Sequence, residues 1–111
     1  MSNLSDKIRK SRQKVEPVGG FDFTILRPTD LDMMEFSRSR NPADLVKFVV
    51  GWDKVKEMDL LPGGDGHPVP FDADACSEWL ADRTDLMVPL VEAITKAYQV
   101  HKQRQEDAAK N

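Results

Sequence analysis

Apolar and polar residues alternate near the N-terminus with the two-residue period of a β-strand. Phe21, Phe23 and Ile25 share one face of this segment, and polar residues occupy the other. Val15–Val18 precedes it, and the Gly-Gly pair at 19–20 supplies the positive φ angles of a tight turn. We therefore predict a β-hairpin, and its apolar face must pack on helices because two strands alone are marginally stable.

Four segments beyond residue 28 repeat apolar residues every three or four positions, which predicts four helices. Three of them follow residues suited to capping a helix N-terminus: Thr29, Asn41 and Asp72. The first helix is short and carries Leu31, Met34 and Phe36 inward. The second runs from Pro42 through Trp52 as one apolar stripe.

The Gly- and Pro-rich segment 62–70 separates the second helix from the third, which buries Trp79 and Leu80. In the last and longest helix, Pro89 either kinks the helix or separates a short turn at 84–88 from the main segment. The predicted fold class is α+β, mainly α, with an N-terminal β-hairpin packed on about four helices.

Charge is distributed unevenly along the 111 residues. Residues 1–14 carry a net charge of +4 and the rest of the chain carries −7, which gives the formal −3. We divide the chain into a basic flexible arm (1–14), a single compact domain (15–101) and a charged helical tail (102–111). The arm suits contact with nucleic acid, but the acidic body opposes it, so nucleic acid is not the expected partner.

The lone cysteine, Cys76, excludes an internal disulfide and suits a reducing cytosol. The N-terminus lacks the apolar core of a signal peptide. No apolar run approaches the roughly 20 residues that span a bilayer. We expect an intracellular, soluble protein without membrane contacts.

No group of residues has the spacing that catalysis or cofactor binding requires. The GGDG loop at 63–66 follows no strand and lacks the Gly-Lys-Ser/Thr of a phosphate-binding loop. His67 and His101 lie far apart, and Cys76 sits on an apolar helix face, so neither a zinc site nor a Cys–His pair is predicted. Acidic pairs in first helical turns face the helix macrodipole favourably. We expect no enzyme activity, metal or cofactor.

Four stretches occur in a fixed order along the chain: GGFDFTILRPTD, a helix ending VVGW, LPGGDGHPVPF before a capped helix with Trp79, and DRTDLMVPLVEAI. This order resembles the tail assembly chaperones of long-tailed bacteriophages and prophages, over roughly residues 15–100. The resemblance implies a small, mainly helical protein that binds the tape measure protein, the long helical chain that sets tail length. It also implies a location in the host cytoplasm and absence from the mature virion, because tail-tube subunits displace the chaperone.

The family has no active-site residues to transfer, so the binding surface is inferred from the large apolar side chains. Methionine adapts to varied apolar partners, and the chain carries more large apolar residues than four short helices need. The candidates for the partner groove, or for the core beneath it, are Met33, Met34, Phe36, Phe48, Trp52 and Phe71. The tail-tube subunit and a second copy of the chain are further candidate partners.

An alternative interpretation starts from the basic arm. The chain would then be a small phage or prophage regulatory protein that contacts nucleic acid through residues 7–14. Contacts to phosphate weaken steeply as the salt concentration rises, whereas binding in an apolar groove tolerates salt. Salt dependence therefore separates the two interpretations.

Overall fold

The structure is a computed structural model that describes residues 3–110. A three-stranded antiparallel sheet near the N-terminus packs with several helices, and 59% of the chain is helical, so the predicted α+β, mainly α fold class is confirmed. In chain order the elements are α1 (Leu4–Ser11), β1 (Gln13–Val18), β2 (Phe21–Leu26), α2 (Asp30–Ser39), a 3₁₀ helix (Pro42–Phe48), β3 (Val49–Asp53), α3 (Glu57–Leu60), α4 (Ala73–Ala81) and α5 (Thr84–Ala109).

The predicted hairpin is formed by β1 and β2, which pair antiparallel along their full lengths. Its turn places Gly19 at φ +62° and Gly20 at φ +87°, the signs that a two-residue hairpin turn requires. Phe23 and Ile25 point from β2 into the core and are buried, as the alternation predicts. β1 is an edge strand of the sheet and therefore accommodates Pro17, which has no N–H to donate.

The predicted helix through Trp52 is wrong beyond Phe48. The chain forms the 3₁₀ helix and then β3, which pairs antiparallel with β2 and places Trp52 opposite Phe23. Val49 and Val50 are β-branched and fit a pleated strand better than a helix. The free edge of β2 also offers this segment hydrogen-bond partners, which converts a marginal hairpin into a three-stranded sheet.

The three predicted N-caps are confirmed. Thr29 and Asp32 form a reciprocal capping box, with the Thr29 Oγ1 accepting from the Asp32 N–H at 3.1 Å and the Asp32 carboxylate accepting from the Thr29 N–H at 2.9 Å. The side chains of Asn41 and Asp72 each accept a hydrogen bond from a backbone N–H inside the following helix.

α2 turns a different face to the core than the sequence predicts. Leu31 is 64% exposed and Met34 is 61% exposed, whereas Met33 and Phe36 pack against the core. Residues three apart share one side of a helix, so these two pairs lie on different sides and only one can face inward. The predicted inward position is therefore correct for Phe36 and wrong for Leu31 and Met34.

Trp79 of α4 lies at the centre of an aromatic cluster in the core. Its ring centroid is 5.1 Å from that of Phe21, 6.1 Å from that of Phe23 and 6.0 Å from that of Trp52. These separations lie in the range of favourable edge-to-face contacts. The predicted burial of Trp79 and of Leu80 beside it is confirmed.

α5 is one helix that continues through Pro89, so the alternative in which this proline separates a turn at 84–88 is wrong. Three of its residues are buried: Leu86, Leu90 and Ile94. Farther along, the Tyr98 hydroxyl donates a 2.8 Å hydrogen bond to Asp30. This bond ties the start of α2 to α5 and helps to fix the rotation of α2.

The residues of the predicted arm form α1 and the start of β1, and those of the predicted tail continue α5 in exposed positions. Residues 1, 2 and 111, which belong to the arm and the tail, lie outside the described residues. The mobility of the arm stays a prediction. Within residues 3–110, no helix combines the length and apolar character needed to cross a membrane.

Candidate partner-binding groove

A groove of about 590 Å³ runs between α2, the 3₁₀ helix and α4. We call it the acidic groove. The residues that line it are Asp32, Glu35, Phe36, Ser39, Ala43, Asp44, Leu45, Val46, Lys47, Phe48, Val49, Ala73, Asp74 and Ser77. Its volume falls in the range of roughly 300–1,000 Å³ that is typical of ligand sites.

The rim of the acidic groove carries negative charge from three separate helices. Its carboxylates are Asp32, Glu35, Asp44 and Asp74, and Lys47 is the one cation among the lining residues. A rim with this excess of carboxylates attracts cationic groups and repels anionic ones.

The floor of the groove is apolar and belongs to the core. Leu45 and Phe48 are buried, and Phe36 packs against the core from α2. The Lys47 ammonium lies 5.4 Å from the Phe48 ring centroid, within the range of a cation–π contact. The groove thus combines a preformed apolar floor with a charged rim.

One end of the groove is held by a contact between α2 and the 3₁₀ helix. The Ser39 hydroxyl donates a 2.5 Å hydrogen bond to the Asp44 carboxylate. Arg40, between these elements, adopts a left-handed conformation with φ +52° and donates its N–H to the Phe36 carbonyl. This local geometry ends α2 and turns the chain along the groove wall.

The six predicted partner-binding residues fall into two groups. Phe36 and Phe48 line the acidic groove, whereas Met33 and Met34 lie on α2 but do not line it. Met33 is half-buried against the core, whereas Met34 is exposed. Of these four residues, Met34 therefore has the most surface to offer a partner.

Trp52 and Phe71 form the second group and do not line the groove. Their ring centroids are 5.0 Å apart in an edge-to-face contact, and both rings are half-buried. The Trp52 indole N–H donates a 2.9 Å hydrogen bond to the Val69 carbonyl. This pair holds the returning end of the 62–70 loop against β3, which is a structural contact.

Sequence reasoning missed the carboxylates that form the rim. Asp32, Asp44 and Asp74 each stand in the first turn of a different helix, where an acidic residue also faces the macrodipole favourably. Glu35 follows Asp32 on the same helical face. The sequence does show that acidic residues recur in the first turns of helices. It does not show that these carboxylates lie close together, because that depends on how the three helices pack.

The GGDG loop is a surface turn held by backbone hydrogen bonds. The N–H of Met58 donates to the Asp65 carbonyl at 2.9 Å, and a β-bridge joins Lys56 to Pro68. A Cβ on Gly64 would lie 2.7 Å from the backbone of Glu57, so glycine is required for this close approach. These contacts shape the loop without creating a phosphate cradle.

Two observations concern metal binding and the reactivity of Cys76. No group of three or more His, Cys, Asp or Glu side chains within residues 3–110 is placed to hold a metal ion. Burial raises the pKa of the Cys76 thiol to about 11, which disfavours the reactive thiolate.

Comparison with protein-family models, curated protein sequences and solved structures gave no significant match.

Proposed function

We propose that this protein is a tail assembly chaperone of a long-tailed bacteriophage or prophage, which binds the tape measure protein and keeps it soluble until the tail tube polymerises. The observation that carries the proposal is the acidic groove, whose apolar floor and charged rim suit one face of an amphipathic helix. The resemblance in the order of sequence elements supports the same function. The protein acts as a binder, without catalysis, in the host cytoplasm.

The partner helix is expected to carry apolar anchors flanked by Lys or Arg. Burial of apolar side chains against the half-buried Phe36 and the exposed Leu31 and Met34 provides the affinity. The rim carboxylates provide charge selection and faster association. A long helix with such a stripe aggregates in water unless the stripe is covered, which is the need that a chaperone meets.

The exposed face of α2 extends the surface available to this partner. Leu31 and Met34 are spaced by three residues and are both more than half exposed. These two residues do not line the acidic groove, so they would form a second apolar contact on another side of α2. Exposed apolar residues of this kind let successive segments of one long chain bind without a strict sequence requirement.

Co-expression with segments of a candidate tape measure protein tests the proposal. We expect the segments to become soluble and to co-elute with the protein at high salt, because apolar contacts tolerate salt. The double substitution Leu31→Asp/Met34→Asp should abolish co-elution. Val88→Asp, at a half-exposed apolar position on α5, is the matched control and should leave co-elution intact.

Two synthetic amphipathic helices test the charge selection separately. They share one apolar face, and the polar face carries Lys in one and Glu in the other. We expect the Lys helix to bind more tightly, and Glu35→Lys to reduce that preference. Segments that stay insoluble while the protein elutes alone would contradict the chaperone function, and equal binding of both helices would contradict the role of the rim.

A further inference from the structure

A second groove, opposite in charge to the first, lies between β1 and the C-terminal half of α5 and has a volume of about 600 Å³. We call it the basic groove. The residues that line it are Ser11, Arg12, Gln13, Lys14, Glu16, Arg27, Ala93, Lys96, Ala97, Val100, His101 and Arg104. Five permanent cations face one carboxylate here, in a protein whose overall charge is −3.

One wall of the basic groove is a regular stripe along α5. Its residues recur every three or four positions from Ala93 to Arg104, which places them on one helical face. At about 1.5 Å per residue this wall is about 16 Å long. Lys96 and Arg104 contribute its charge, and the side chains between them are mostly small and apolar.

The opposite wall places Arg12 beside Arg27. The Arg27 N–H donates a 2.8 Å hydrogen bond to the Arg12 carbonyl, so their backbones lie side by side. Burial and the charge of Arg12 lower the pKa of Arg27. The Arg12 Nε is buried and has no hydrogen-bond partner among residues 3–110.

Among the described residues that line the basic groove, one cation forms an ion pair, and Asp30 attracts Arg27 from outside the lining. Lys14 pairs with Glu16 at 3.5 Å, whereas neither Arg12 nor Lys96 forms an ion pair with another described residue. Burial and the charge of Arg27 lower the pKa of His101, so the imidazole also experiences this positive field. The arrangement is that of a site prepared for an anion with several charges.

We propose that the basic groove binds the phosphate backbone of double-stranded DNA, independently of base sequence. The repeated single charges of a phosphate backbone complement several cations that are spread over the two walls of one groove. No Phe, Tyr or Trp lines the groove, so it lacks the large aromatic rings on which unpaired bases stack. The cations Lys7, Arg9 and Lys10 of α1, the helix that ends at the groove, extend the positive surface.

An acidic peptide is the competing occupant, and the floor of the groove argues against it. Peptides gain affinity by inserting large apolar or aromatic anchors into pockets. The floor here consists of Ala93, Ala97 and Val100, which form no pocket for such an anchor. Phosphate contacts need only positioned cations, which the groove supplies.

Fluorescence anisotropy of the full chain with a labelled 20-base-pair DNA duplex of arbitrary sequence tests this site. Five phosphate contacts predict a slope of log K against log salt near about −4.5, and Lys96→Gln/Arg104→Gln should reduce its magnitude by about 1.8. That double substitution should also weaken binding at least tenfold at low salt. Lys96 and Arg104 are both exposed on α5, so the substitutions should leave the fold intact. Circular dichroism of the variant checks this expectation.

Arg38→Gln/Arg40→Gln is the matched control, since it removes the same charge from positions outside the groove. We expect it to retain the slope of the unmodified protein. The absence of duplex binding at low salt would overturn the proposal, as would an equal loss of affinity in the control. Tighter binding of a poly-Glu peptide than of the duplex would instead assign the groove to an acidic protein. None of these outcomes depends on tape measure binding.

Discussion

Gly19 is the position where one added methyl group tests how the hairpin packs on α5. Its φ is +62°, and a Cβ at this position would overlap the Cδ2 of Leu86, which is buried. Gly20, the next residue of the same turn, has φ +87° and would place a Cβ with no heavy atom within 4 Å. The two glycines therefore share the backbone requirement and differ in the packing requirement.

The expected losses follow from these two contributions. An alanine in the left-handed region costs about 1–2 kcal/mol at either position. Forcing Leu86 from its packed position adds about 1–3 kcal/mol for Gly19→Ala alone. We therefore expect Gly19→Ala to lower the free energy of unfolding by about 2–5 kcal/mol, and Gly20→Ala to lower it by only about 1–2 kcal/mol.

Urea unfolding followed by tryptophan fluorescence measures both losses, with the slope of free energy against urea as a check on two-state behaviour. Combining Gly19→Ala with Leu86→Ala should be less costly than the sum of the single substitutions, because the smaller side chain removes the overlap. Equal losses for the two glycines, together with additive behaviour of the double substitution, would refute the claim that the turn packs tightly on Leu86.

Three further predictions concern single side chains. Asp72→Ala should lower stability by about 1 kcal/mol, because it removes the N-cap of α4; Asp74→Ala, which caps nothing, should cost less in the same urea assay. Cys76 should react with thiol reagents only after unfolding. Because burial raises its pKa to about 11, stability should also fall as the pH rises from the ordinary thiol range towards that value, which alkaline unfolding curves would show. The hydrogen bond from Tyr98, and then the charge of Lys102, lower the pKa of Asp30, so its contribution to stability is present at neutral pH and lost as the pH falls through that lowered pKa. Tyr98→Phe should weaken this acid dependence in unfolding curves, and an unchanged acid limb would contradict the assignment.

The features that sequence predicts well are those decided within a few residues. Thr29, Asn41 and Asp72 bond to backbone groups no more than three residues away, so their capping roles are readable locally. The Gly-Gly turn and the alternation of Phe23 with Ile25 are equally local. These signals were sufficient to predict the hairpin, most helix starts and the α+β class.

β3 escaped prediction because its formation is decided by a distant partner. Val49 and Trp52 are spaced like residues on one face of a helix, but the same segment is also compatible with a β-strand. Trp52 pairs with Phe23 on β2, which is far away in the sequence, and this pairing favours the strand over the helix. The rotation of α2 is similar, since it depends on the packing of Met33 and Phe36 against the core formed by other elements.

In the candidate site, too, some features could be predicted from the local sequence and others depend on tertiary structure. The apolar residues Phe36 and Phe48 were predicted to share a surface, and they meet in the acidic groove. The carboxylates of its rim come from three helices and converge only after those helices pack, so no local pattern indicates them. The basic groove likewise joins Arg12 and Arg27 to α5 through tertiary structure alone.

Pro17 limits how far the sheet can extend. An edge strand offers unpaired N–H and C=O groups to any extended chain, including another copy that is not yet folded. Pro17 is exposed on β1 and removes one donor near the end of that strand, and the charge of Lys14 opposes a strand of like charge. An incoming strand would therefore lose a hydrogen bond and meet electrostatic repulsion. This edge of the sheet is thereby protected against the strand-by-strand growth that leads to cross-β aggregates.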